Sequence, residues 1–247
     1  MQTMTSSFPS RLYLLELAHL EDSGIPFPGY LVQTSDGTNI LIDTGWPQER
    51  IGAYKQPGGT GLHMDEADFV VHRLATLGLR PSDINVLICT HLDPDHAGNH
   101  DAFPEAELVV QREHYEFAKA SSDSRFLVNR QHWDHPSLRY RLIDGDMQLL
   151  PGIDLIKTSG HCPGHQSVLV RLPETGPVLL TIDAIPSQAD LDPEQRALSP
   201  YDMDEAGVRA STRKLVEIAR RERVTLIIHG HDPIQWKTLK RAPDYYL

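Results

Sequence analysis

Cysteine is scarce in this sequence. Cys89 and Cys162 are the only two in 247 residues. They make no disulfide framework and no cysteine cluster, and they suit a reducing compartment. Positive charge is also short. Lys plus Arg number 23 against 34 Asp plus Glu, for a formal net charge of −11. With no Lys/Arg run, neither nucleic acid nor an anionic membrane is expected as a partner. No apolar run approaches the ~20 residues of a membrane helix. No basic start followed by an apolar stretch marks residues 1–17, so a cytoplasmic location is expected. Repeats and low-complexity tracts are absent as well. A 40% hydrophobic and 23% charged composition excludes a disordered chain, a collagen-like fibre and a coiled coil. The length suits one domain over residues 1–247. The oligomeric state stays open, a homodimer included. What the sequence does have is histidine, 13 of them, and their placement carries the reading.

Apolar runs at Arg11–Leu17, Gly29–Thr34 and Asn39–Asp43 predict three strands, the last two joined by a Ser35-Asp36-Gly37 hairpin turn. Residues 46–64 are rich in Gly and Pro and predict a long loop. A helix fits Asp65–Leu77, with Gly78 and Pro81 ending it. Further strands are predicted at Asn85–Thr90, Leu108–Gln111, Ile153–Thr158, Gln166–Leu172, Val178–Ile182 and Val224–Ile228. A short helix is predicted near Glu113–Lys119 and a longer one over Glu205–Arg221, capped by Asp202 or Asp204. Residues 121–137 and 186–203 read as irregular loops. Grouped strands with few helices suggest sheets packed face to face with helices outside.

The densest chemistry is Thr90-His91-Leu92-Asp93-Pro94-Asp95-His96, directly after a buried strand. One isolated His is usually a surface or hydrogen-bonded residue. Two His and two Asp in six residues make sense around a cation, and imidazole with carboxylate suits zinc, iron, manganese or cobalt. Three other apolar strands also run into a potential ligand: His161 after Ile156-Lys157, Asp183 after Leu179–Ile182, and His231 after Leu226–Ile228. A carboxylate at Asp183 would be costly to bury alone. It either meets a cation or caps a turn.

In this arrangement the sequence resembles the metallo-β-lactamase superfamily. Its signature, His-x-His-x-Asp-His followed by a distant His, Asp and His, is matched in order by His91, Asp95, His96, His161, Asp183 and His231, and Asp43-Thr44-Gly45 matches an early Asp-Thr-Gly turn. The match runs from about Leu12 to Asp232. Within the superfamily the sequence is most similar to N-acyl-homoserine lactonases, through Asp93–Asn99, His161–Ser167, Leu179–Ala184 and Gly230-His231-Asp232. The resemblance implies an α/β fold, a four-layer αβ/βα sandwich with metals at one edge. It implies a binuclear metal-dependent lactonase, a carboxylic ester hydrolase that opens N-acyl homoserine lactones and so quenches quorum signalling. Two divalent ions are expected, zinc foremost, with Fe, Mn or Co as alternatives. His91, Asp93 and His161 would hold one, Asp95, His96 and His231 the other, and Asp183 would bridge them. A hydroxide shared by the metals would attack the carbonyl, with Asp95 moving the proton. The small acyl lactone is the expected partner, its tail lying near Phe27, Tyr30, Trp46 and Trp133.

Two positions depart from the pattern. The second His of the signature is Asp93, a harder and charged donor that tilts the site toward Fe, Mn or Co. The Tyr that these lactonases often carry three residues after the bridging Asp is Pro186, with Tyr201 a candidate replacement. These departures keep open a hydrolase of another lactone or ester and, more remotely, a diiron oxidoreductase. His165 is expected to support the His161 loop, and Asp43 to support the metal loops. His100 and His229 are expected as hydrogen-bonded neighbours, and His132 and His135 as solvated or rim residues. Cys162 is not expected to be a nucleophile.

Overall fold

A computed structural model describes residues 7–55 and 61–247. The first residues, where the N-terminal reading rests, and 56–60 of the 46–64 loop lie outside it. Strands β1 (Pro9–Leu20), β2 (Pro26–Thr34), β3 (Asn39–Ile42), β4 (Leu62–His63), β5 (Val86–Ile88), β6 (Glu107–Gln111) and β7 (Arg139–Ile143) form one sheet, in the order β4-β1-β2-β3-β5-β6-β7. Strands β8 (Met147–Leu150), β9 (Ile153–Lys157), β10 (Gln166–Leu172), β11 (Gly176–Ile182) and β12 (Leu226–His229) form the second, in the order β12-β11-β10-β9-β8. The helices are α1 (Val70–Thr76), α2 (Arg112–Ala120), α3 (Ser124–Leu127), α4 (Arg130–Trp133), α5 (Glu205–Arg221) and α6 (Pro233–Trp236).

Side-chain alternation along the strands builds the layers. Leu12 and Leu14 of β1, with Val32, Ile40 and Ile42, meet Leu155, Val168, Val170 and Leu180 between the two sheets. The alternate residues Tyr13, Leu15 and Leu17 pack outward on Val70, Leu74, Phe126 and Trp133 of the helical layer. On the far side Ile156, Leu169 and Leu179 pack against Leu215 and Ile218 of α5. The order is therefore helices, sheet, sheet, helix, the expected αβ/βα sandwich. Both faces of each sheet are covered, which is why the central strands read as continuous apolar runs.

Strands β4, β7 and β8 were not expected. All three are edge strands. In β7, Arg139 and Arg141 are exposed, Tyr140 and Leu142 are half-buried and only Ile143 is buried, so the strand alternates but is too short and too polar to show as an apolar run. Within the stretch read as irregular, α3 and α4 are four residues each, too short for a helical period to show. The α1 helix is shorter than expected, since Glu66–Asp68 forms a 3-10 turn ahead of it. Among the described residues no helix is long and apolar enough to cross a membrane.

Topology decides where the chemistry falls. Strands β3, β5 and β6 are parallel. Strands β9 and β11 each pair antiparallel with β10, and β12 runs parallel to β11. The carboxyl ends of β3, β5, β9, β11 and β12 thus open at one edge, where α/β folds commonly carry their sites. Gly160 anchors one of these loops. It sits at φ 139°, and a Cβ there would lie 2.2 Å from the Val208 backbone nitrogen of α5. Its carbonyl accepts from the Met203 and Asp204 backbone N–H groups. Gly160→Ala should lower the unfolding free energy by more than about 1 kcal/mol, read as a lower midpoint in urea; an unchanged midpoint would refute this close packing.

Candidate metal centre

All seven expected ligands converge at that edge, in two groups. In the first, His91 Nε2 lies 3.4 Å from Asp93 Oδ2 and 3.7 Å from Asp183 Oδ2. His161 Nε2 lies 3.3 Å from each of the same two oxygens. In the second, His96 Nε2 lies 3.4 Å from both Asp95 Oδ2 and Asp183 Oδ1. His231 Nε2 lies 3.0 Å from Asp183 Oδ1 and 3.8 Å from Asp95 Oδ2. Tetrahedral coordination with bonds of ~2.0–2.2 Å puts donors about 3.3–3.6 Å apart. The distances in the two groups, 3.3–3.7 Å and 3.0–3.8 Å, centre on that spacing, and Asp183 gives one oxygen to each.

The donors also fit a cation by what they lack. Among the described residues His91 Nε2, His96 Nε2 and Asp183 Oδ1 are buried without a hydrogen-bond partner. Orphaned buried polar atoms are costly and rare, and three of them facing one point mark a ligand site. The opposite side of each imidazole is tied down. His96 Nδ1 meets Asp43 Oδ2 at 2.8 Å, His161 Nδ1 meets Asp202 Oδ1 at 3.1 Å, and His231 Nδ1 meets the Pro26 carbonyl at 2.9 Å. His91 Nδ1 meets Thr90 Oγ1 at 3.1 Å, while that hydroxyl donates to Asp43 Oδ2 at 2.6 Å. Each acceptor assigns a proton to Nδ1, so that Nε2 is the nitrogen turned toward the metal position.

Backbone placement is equally specific. Ile182, just before Asp183, sits at φ 52°, and Asp43 at φ 58°. A β-branched residue rarely adopts such values, so the chain holds Asp183 with local strain of roughly 1–3 kcal/mol. Gly230 fits beneath it: a Cβ would come within 2.6 Å of the Ile182 carbonyl oxygen. His114 links the loops, accepting from the Leu92 N–H and donating to the Pro163 carbonyl, each at 2.7 Å. Burial pushes its pKa down to about 3, so it stays neutral.

Burial opposes every charge here, yet opposite partners prevail at several groups. For Asp183, His231, His96 and His161 outweigh burial and hold the carboxyl well below its usual range. For His96, Asp95, Asp183 and Asp43 outweigh burial and hold the imidazole well above its usual range; for His231, chiefly Asp183 does so. Around His161 the carboxylates of Asp183, Asp202 and Asp93 overcome burial and pull the pKa up to about 9. Yet Arg125 Nη2 lies 2.6 Å from His161 Nε2. Two N–H groups cannot face each other at that distance, so contact geometry decides and the His161 ring is neutral in this arrangement. His91 is lowered by its burial and by His96.

Several expectations need correction. Trp133 and Tyr30 are 0% and 1% exposed, so neither can line a groove, whereas Phe27 and Trp46 remain partly open. The Phe27 ring lies 5.3 Å from that of His231. Tyr201 is 65% exposed, and what it brings to the site is a backbone carbonyl, accepting from Arg125. His132 is buried and paired with Asp101, not solvated. His100 is buried with neither ring nitrogen bonded among the described residues, so it is no hydrogen-bonded neighbour. Asp202 grips His161 and does not cap α5, whose cap position is Asp204. Asp43 supports His96, as expected. His165 bonds Thr158 through Nδ1, and its ring lies 5.0 Å from His91. Pro186 has a backbone role, its carbonyl accepting from the His231 N–H. The residue missed altogether is Arg125. Its signal was indirect: an extra carboxylate at position 93 calls for a cation.

Comparison with known proteins agrees with this geometry. The metallo-beta-lactamase superfamily pattern matches residues 29–231. An N-acyl homoserine lactonase from Bacillus sp. is 35% identical over 227 residues, covering 90% of this chain and 87% of that protein. One from Rhizobium radiobacter is 33% identical over 243 residues, covering 91% and 89%. A solved N-acyl homoserine lactone hydrolase, with the product N-hexanoyl-L-homoserine at its catalytic metal centre, superposes with a TM-score of 0.83 at 30% identity, over 97% of this chain and all of that one. The chain belongs to the metallo-beta-lactamase superfamily and, within it, to the N-acyl homoserine lactonase family.

Raised imidazoles set the pH behaviour. The raised pKa values of His96 and His231, caused chiefly by the carboxylates of Asp95 and Asp183, favour their protonated forms in metal-free protein, and a metal must displace that proton. Metal uptake should therefore release protons, and affinity should climb as pH rises through the raised pKa values. The same shifts act on folding. Stability from protonated His96 and His231 is complete below pH ~6.5 and is lost as pH rises through the raised values. Calorimetry of cobalt binding in buffers of different ionisation enthalpy reads the protons; no proton release would contradict these shifts.

Proposed function

We propose that this chain hydrolyses the ring ester of N-acyl homoserine lactones at a centre of two divalent ions. His91, Asp93 and His161 would hold one ion and Asp95, His96 and His231 the other, with Asp183 placed to serve both. The observation that carries this is the split of Asp183 between two tetrahedrally spaced donor groups, in a chain of the N-acyl homoserine lactonase family. When bound, such a pair supplies Lewis acidity and brings the pKa of a water toward ~7. Zinc suits the nitrogen and oxygen donors; the harder oxygen of Asp93 also admits Fe, Mn or Co.

The protein's own groups then divide the work. Asp95 has the most open of the three carboxylates, its side chain 15% exposed against 9% for Asp93 and Asp183. It is the group able to take a proton from the attacking water and return it to the leaving ring oxygen. Phe27 and Trp46, edge to face with centroids 5.5 Å apart, offer an apolar wall beside His231 for the acyl tail. The fixed Nδ1 contacts keep the imidazoles from swinging out as charge develops. Cys89 and Cys162 are free and buried, which supports a cytoplasmic site of action.

Incubation with N-hexanoyl and N-decanoyl homoserine lactone, followed by mass spectrometry, should show N-acyl homoserine with the amide intact. Free homoserine lactone with a fatty acid would identify an acylase and overturn the reading. Asp183→Ala should lose both metals and at least ~10³-fold in rate, because it serves both subsites. His165→Ala should lose only ~10–100-fold, because its ring packs beside His91 at 5.0 Å without bonding a ligand.

A further inference from the structure

Among the described residues, Arg125 is the one Lys or Arg in direct contact with the expected ligands. Its Nε donates to Asp93 Oδ1 at 2.5 Å, its Nη2 to His161 Nε2 at 2.6 Å, and its Nη1 to the Tyr201 carbonyl at 2.6 Å. The side chain is 11% exposed. All three guanidinium nitrogens are thereby committed, two of them to donors of the His91/Asp93/His161 subsite. Among the described residues nothing equivalent meets Asp95, His96 or His231, whose carboxylate and rings contact Asp43, Asp183, the Pro26 carbonyl and one another.

The two contacts differ in what they leave free. Asp93 has two oxygens, so Oδ1 can hold Arg125 while Oδ2 faces the centre. His161 Nε2 has a single lone pair, since Nδ1 carries the proton given to Asp202. A metal and Arg125 cannot both use it. The guanidinium therefore orients one donor and blocks another. Its charge adds to this, because a divalent ion entering the subsite meets a positive group within contact of two of its own ligands. Asp93 and Arg125 also match in charge. The carboxylate adds a negative charge beside Asp183 and Asp95, and the guanidinium cancels it.

Resting on the metal-centre reading above, we propose that Arg125 is a resident cation of the His91/Asp93/His161 subsite and makes the two subsites unequal. The Asp95/His96/His231 subsite fills first. The other fills at least tenfold more weakly, after Nη2 has left His161 while Nε stays on Asp93. Arg125 is a positioning residue in this account. It sets metal occupancy and keeps buried Asp93 compensated while the subsite waits for its ion.

The test is a stepwise cobalt(II) titration of metal-free wild type, Arg125→Ala and Arg125→Lys, with a chromophoric chelator as competitor and melting temperature recorded alongside. Wild type should bind in two steps at least tenfold apart. Arg125→Ala should tighten the weaker step at least tenfold and leave the stronger one unchanged. Its metal-free form should melt lower than wild type, and saturating cobalt should close that gap. Arg125→Lys keeps the charge but cannot span both donors, so its weaker step should fall between, and it serves if the alanine variant does not fold. Two equal steps in wild type would overturn the proposal. So would a weaker step that weakens further in both variants, which is the behaviour of an ordinary ligand support. No cobalt binding by wild type would overturn the metal centre itself.

Discussion

Three carboxylates and four imidazoles are packed where two sheet edges meet, and the repulsion and desolvation of that cluster is the constraint on which the local structure depends. Asp93 and Asp183 are 6% and 7% exposed. Left alone, carboxylates so placed would protonate or pull apart. They are held by opposite charge from the imidazoles and by one guanidinium, and their spacing suits cations. Removing any of these contributions shifts the demand onto the others. This is why His96 is held above its usual pKa and Asp183 below it.

The scaffold meets that demand with rigid supports. The carboxyl ends of five strands deliver the ligands, and each loop is fastened from behind. Asp43 reaches His96 directly and His91 through Thr90. Asp202 comes from the 186–203 segment to hold His161, and Pro26 of β2 holds His231. Ile182 and Asp43 stay in the left-handed region because packing on both sheets over-determines their position. Stability and site geometry are thus supplied by the same buried strands.

Much of this was legible in the sequence, for identifiable reasons. Strands buried on both faces write themselves as apolar runs, so β1, β2, β5, β10 and β11 could be read. The ligands stood out because each follows such a run. Edge strand β7 was not read, since its short Arg139-Tyr140-Arg141-Leu142 alternation holds no apolar run and only Ile143 is buried. Trp133 and Tyr30 misled because aromatic residues look alike whether they line a groove or fill a core. Arg125 and Asp202 lie in segments without periodicity, and their roles come from contacts 32 and 41 residues away in sequence. Position 93 carried the hint, because a carboxylate in place of an imidazole needs its charge compensated by something.

The central claim is that Asp183 divides two metal subsites between its oxygens. Anomalous diffraction from crystals equilibrated with excess cobalt or zinc tests it most directly. Two anomalous peaks should appear, one among His91, Asp93, His161 and Asp183 Oδ2, the other among Asp95, His96, His231 and Asp183 Oδ1, each ~2.0–2.2 Å from its donors. A single peak under saturating metal, or ions held by residues other than these, would contradict the account.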